Sequence, residues 1–143
     1  MDPKAALRSL LAIVAGMLFI TISVEALEWT LVTAINRAPI TDPEAYYAVR
    51  NGLGFLLVKV VYNTAAAVAG GYLAARIAGR AEILHGLAIA AIQTGSFIWA
   101  VFQPEMRRWM PMWMWITLIF VSAVGIIFGA RLAGERRRRH EGS

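Results

Sequence analysis

Four long apolar runs, separated by short polar or proline-bearing stretches, dominate the sequence and cover residues 7–35, 52–78, 83–102 and 112–132. A helix rises about 1.5 Å per residue and needs about 20 largely apolar residues to cross the hydrocarbon of a bilayer. Each run meets that requirement. The expected fold is therefore all-α: an integral membrane four-helix bundle, a single membrane domain over residues 1–143 with a basic tail over 133–143. Lys4 and Arg8 before the first run resemble the start of a signal peptide. The run is too long for one, however, and shows no small-residue cleavage pattern before Glu25, so it reads as a retained helix.

The connections support this division. Thr41-Asp42-Pro43-Glu44 sets a capping residue before proline at the first helical position, with an acid in the first turn. The second helix is expected to begin here as an interfacial turn through Tyr46 and Tyr47, with Gly52 and Gly54 bending it where it enters the bilayer. Pro104 and Pro111 bracket the other outer loop.

Composition changes the class rather than the detail. The chain is 59% hydrophobic and 16% charged, against about 45–50% and 25% for soluble domains. It has no cysteine, which excludes disulfides, thiolate metal sites and cysteine nucleophiles. A net charge of +5 invites a nucleic-acid reading. Much of the surplus, though, is Arg136, Arg137, Arg138 and Arg139, just past an apolar run. A topology signal or a contact to anionic lipid headgroups accounts for them, and no nucleic-acid partner is expected.

Four spans put both termini on one side. Lys4, Arg8, Arg76, Arg80, Arg131 and the four tail arginines fall there, against Arg37, Arg50, Arg107 and Arg108 opposite. The imbalance predicts cytoplasmic termini in a bacterial inner membrane. Trp29, Tyr46, Tyr47, Trp109, Trp113 and Trp115 gather at the outer edge as an aromatic belt.

Small residues mark the expected contacts, because helices in lipid associate by close packing and hydrogen bonds. The second span carries one row of Ala66, Gly70, Ala74 and Ala78, and beside it Ala67, Gly71, Ala75 and Gly79. The third has Gly86 and Ala90, followed by Gln93 and Ser96, and the fourth has Gly125 and Gly129. These rows suit packing within one bundle, self-association, or docking to other membrane subunits.

Candidate chemistry is confined to an intramembrane polar cluster. Lys59 and Asn63 share the stripe of Ala66 and Gly70, while Glu25 and Glu28 stand three apart on the first span. With the first helix running outward and the second inward, Glu25, Glu28 and Lys59 lie in the outer half of the bilayer. Lys59 is about 10–12 Å below the boundary by helical rise. Charge at mid-span costs about 2.5–3.5 kcal/mol, so such residues pair, turn inward or serve a function. Pairing of Lys59 with Glu25 or Glu28 would clasp two helices. One base against two acids leaves a spare carboxylate, which is either protonated or open to headgroups or water. A proton- or cation-responsive site is the competing reading.

Other chemistry has little footing. His85 and His140 lack metal-ligand spacing, and Met17 with Met106, Met110, Met112 and Met114 offers no haem-ligating pair. Hydrolase, zinc-protease and phosphate-loop signatures are missing. No enzyme activity, metal or cofactor is expected.

The chain resembles a widespread group of small bacterial four-helix membrane proteins recorded as hypothetical proteins. The likeness rests on Leu7-Arg8-Ser9, Val24-Glu25-Ala26, Asp42-Pro43-Glu44, the stretch from Ala69 to Arg80, and His85-Gly86. It implies the four-span layout and a shared role for Glu25 and the Gly70–Gly71 pair. Lys59, Asn63 and the arginine tail lie outside its pattern. The expected function is a structural or accessory subunit that packs through its small-residue faces. The alternative is a small proton- or cation-coupled transporter or channel using Glu25 and Glu28.

Overall fold

The computed structural model describes residues 3–141, and all of its regular structure is helical. Helices α1 (Pro3–Asn36), α3 (Leu53–Ala78), α4 (Glu82–Val101) and α6 (Met112–Glu141) are joined by two short ones, α2 (Pro43–Arg50) and α5 (Pro104–Trp109). The four long helices are long and apolar enough to cross a membrane.

Two boundaries differ from expectation. The turn through Tyr46 and Tyr47 is a separate helix, α2, and not the start of the second span. Asn51 ends it and Gly52, extended at ψ 144°, caps α3, while Gly54 sits inside the first turn of α3. The basic tail, expected to leave the helix after residue 132, continues α6 to Glu141. Arginine, alanine and glutamate are good helix formers, and cations in the last turn complement the helix dipole. Residues 142 and 143 of that tail lie outside the described residues.

Helix α3 is the hub. It packs most extensively on α6 and next on α1, and α4 completes the bundle against α6. Helices α3 and α6 run parallel: Thr64 and Ala67 meet Gly125, and Val68 and Tyr72 meet Gly129. Helix α1 runs antiparallel to α3, with Gly16 against Gly70 and Ala74.

Glycine makes these approaches possible. A Cβ on Gly71 would strike the backbone of Ile126, and one on Gly129 the carbonyl of Val68. Ala66, Gly70, Gly71, Ala74, Gly125 and Gly129 are all buried within the bundle. Of the readings open for these rows, packing within one bundle is the one these contacts fit, because the chain's own helices cover them. Between α3 and α4, Gly79 adopts φ 64°, a left-handed cap that its missing Cβ permits.

The outer surface is apolar. Only 17% of the most apolar stretch of α1 is buried, leaving Leu10, Leu18 and Ile22 exposed. Such a surface suits lipid or another membrane protein better than water.

Candidate functional site

The polar cluster forms where α1, α2 and α3 converge at the α2/α5 end. Helical spacing sets Glu25 and Glu28 on neighbouring positions of α1, and Lys59, Tyr62 and Asn63 on the inward stripe of α3. The third contributor is α2. Asp42 caps it by accepting a 2.8 Å bond from the Ala45 N–H, and Pro43 occupies its first turn. The helix ends at Arg50, which reaches over the cluster.

Glu28 is the centre, 1% exposed. Its Oε1 accepts the Tyr62 hydroxyl at 2.7 Å and the Lys59 ammonium at 3.1 Å. Its Oε2 is ion-paired with the Arg50 Nε. A second Arg50 nitrogen lies 3.6 Å from Glu25, whose side chain is 59% exposed. Glu28, not Glu25, is thus the partner of Lys59.

Arg50 also settles the charge imbalance. Two carboxylates face two cations, so neither acid has to be protonated to balance the site. Burial works against the Arg50 charge, but the Glu28 and Glu25 carboxylates outweigh it and hold its pKa above the usual arginine value. Burial likewise raises the Tyr46 hydroxyl, with Arg50 opposing and the two glutamates assisting.

Asn63 shares the inward stripe of Lys59, and its bond is local. Its side-chain amide donates to the Lys59 carbonyl at 2.9 Å, within its own helix, rather than to a carboxylate. Lys59 is 3% exposed, so it turns inward instead of snorkelling to the interface.

Two cavities adjoin the cluster, of about 450 and 160 Å³, and share Glu25, Arg50, Lys59, Met110 and Trp115 as walls. The larger is also lined by Tyr47 of α2 and Trp109 of α5. A 3.0 Å ion pair between Arg108 and Glu44, with stacking of Tyr47 on Trp109 at 5.4 Å, ties those two helices together. The smaller cavity extends to Asn63 and Gln93. Beyond it lies a core cluster of Ile20, Ala67, Ala74, Ile89, Ala90 and Ile126. These adjoining cavities form a vestibule beside the cluster.

Several residues of this site carry no clear mark in the sequence. Charge counting puts Arg50 among the outer-loop charges, and helical projection makes Tyr62 only a neighbour of the Lys59 stripe. Trp115, expected in the aromatic belt, is 6% exposed, and its buried indole N–H has no hydrogen-bond partner among the described residues. Helical spacing does carry a signal: Trp115, Leu118, Ser122, Gly125 and Gly129 share one face of α6.

The arginine tail belongs to the other end. Arg137 pairs with Glu82 at 2.8 Å and bonds the Gly79 carbonyl, so it fastens α6 to the α3–α4 turn and is not simply a lipid contact. Arg136 bonds Tyr72, and Arg138 and Arg139 are exposed. His85 is buried with its Nδ1 3.0 Å from the Ala81 carbonyl. Among the described residues, no group of three His, Asp or Glu side chains is placed to hold a metal ion.

Comparison with family models, curated proteins and solved structures finds no match to this chain.

Proposed function

We propose that this chain is a non-enzymatic integral membrane protein of the bacterial inner membrane, with cytoplasmic termini, acting as a structural or accessory subunit. The observation that carries the reading is the enclosure of Glu28 between two cations and a hydroxyl. Its Oε1 accepts from Tyr62 and faces the Lys59 ammonium, its Oε2 is ion-paired with Arg50 without a hydrogen bond among the described residues, and water hardly reaches it. A carboxylate enclosed by two cations and shut off from water suits a structural clasp better than a travelling proton. It locks α1 and α2 to α3.

The energetics favour the same role. Taking an ion out of water costs several kcal/mol, recovered only when its remaining hydrogen-bonding capacity is met. Tyr62 meets part of that capacity here, and the Lys59 and Arg50 charges balance the carboxylate. The close-packed core cluster next to the smaller cavity supports a static bundle as well. Because the small-residue rows lie inside, a partner subunit or second copy meets another face. The exposed side of α1 is the broadest one available.

A second reading, a small proton- or cation-coupled transporter or channel, draws on one observation. Glu25 is exposed and lines both cavities. Affinity purification from native membranes separates the two. Co-purifying membrane subunits at fixed stoichiometry are expected, and a chain that always emerges alone as a monomer ends the accessory reading. Proteoliposomes of the purified chain should show no proton-coupled flux. Flux that Glu25→Gln abolished without loss of stability would put the transporter in its place.

A further inference from the structure

At the opposite end of the bundle, Tyr72 stands on α3 beside α6. Arg76, one turn further along α3, and Arg136 of α6 each place a guanidinium nitrogen 3.4 Å from its hydroxyl. Arg136 also lies over the ring, 5.7 Å from its centre. Both bonds are long, as expected when one neutral oxygen serves two cations. Two guanidiniums this close repel each other, and a carboxylate between them would relieve that. The acids described at this end are engaged elsewhere: Glu82 with Arg137, and Glu135 with Arg131 at 3.0 Å. Two cations and a hydroxyl therefore converge without an anion from the described chain.

The surface leading to this point is apolar. Val58, Val61, Ala65 and Val68 share the face of α3 that carries Tyr72. Val61 is 69% exposed, and Phe128 is exposed on the neighbouring α6. Tyr72 lies about 9 Å by helical rise before α3 ends at Ala78. In a bilayer that depth is the interface, where tyrosines and lipid headgroups meet.

We infer that Tyr72, Arg76 and Arg136 bind the phosphate of a bilayer lipid, with its acyl chain along the apolar face of α3. The inference rests on the reading of the bundle as membrane-embedded. Arginine's planar fork matches phosphate oxygens two at a time. With the phosphate accepting from both arginines, the Tyr72 hydroxyl is free to donate a further bond. This is a built site, distinct from the diffuse attraction of Arg138 and Arg139 for anionic headgroups.

The test titrates the full chain in micelles with phosphatidylglycerol, followed by native mass spectrometry. Diacylglycerol supplies the chains without phosphate, and glycerol phosphate the phosphate without chains. One phosphatidylglycerol should bind at least about tenfold more tightly than either. Arg76→Gln and Arg136→Gln should each weaken it about tenfold, and Tyr72→Phe about threefold, while Arg138→Gln leaves it unchanged. An equal loss from Arg138→Gln would reduce the site to a diffuse field and overturn it. Equal binding of diacylglycerol removes the phosphate from the account, and equal binding of glycerol phosphate removes the lipid. Alkaline carbonate extraction tests the bilayer reading separately. A released chain defeats that reading, whereas a resistant chain without lipid selectivity defeats only the site.

Discussion

Below the vestibule, α3 meets α1 and α6 with almost nothing between the backbones, at Gly70 against Gly16, Gly71 against Ile126 and Gly129 against Val68. At the α2/α5 end the same helix stands back from its neighbours and is reached by long side chains, with two cavities beside them. The contrast fits the proposed membrane setting. Lipid tails give helices no hydrophobic reason to associate, so either small residues let backbones approach or polar groups bond across a gap. The first solution leaves no room. The second leaves a chamber, and it concentrates the energy of that end in a few atoms around Glu28.

Breaking the polar end should have the largest effect. Glu28→Ala strands Arg50 and Lys59 without their shared counter-charge, and a loss of about 3–5 kcal/mol is expected in unfolding titrations in micelles. A loss under about 1 kcal/mol would mean that the cluster holds nothing together. Breaking the glycine end comes next. Gly71→Leu drives a side chain into the Ile126 backbone, which cannot swing aside, and about 3 kcal/mol or more, the upper end for overpacking, should be lost. Gly95 is the control: a Cβ added there would meet no atom within 4 Å, and Gly95→Ala should cost nothing.

A smaller effect separates α2 from the rest. Arg50→Gln removes the reach of α2 over the cluster, and about 1.5–3 kcal/mol should go, with faster amide exchange confined to α2. The Arg50 pKa is raised, so its contribution is complete below the ordinary arginine value and is lost only as pH climbs through the raised one. The Arg50→Gln deficit should accordingly be equal at pH 7 and pH 10, and a deficit that shrank between them would contradict this assignment. Smallest of all is Glu25→Gln. Its pairing with Arg50 is long and largely exposed, and the stability change should stay under about 1 kcal/mol.

The same contrast explains what can be read in the sequence. The four apolar helices, small-residue rows and the Lys59–Asn63 stripe are local periodicities, legible from residue spacing alone. Glu25 and Glu28 stand out because charge in a span is costly. Arg50 does not, since nothing local tells that α2 folds back over α1. Charge counting places it with the loops, and the spare carboxylate has no partner until tertiary structure supplies one. Trp115 is misplaced for a related reason: depth along a helix is legible from residue number, whereas the direction a tryptophan faces depends on its neighbours. Composition makes the tail arginines look like a free segment. Arg137 instead closes the α3–α4 turn through Glu82 and Gly79.

The most direct test of the central claim, that Glu28 clasps α1 to α3, is a double-mutant cycle between Glu28→Gln and Lys59→Met, read as unfolding free energy in micelles. A dry ion pair predicts that the double variant recovers a large part of the two single losses, with a coupling of at least about 2 kcal/mol. Losses that simply add, to within about 0.5 kcal/mol, would show that the two side chains do not hold each other and would contradict the clasp.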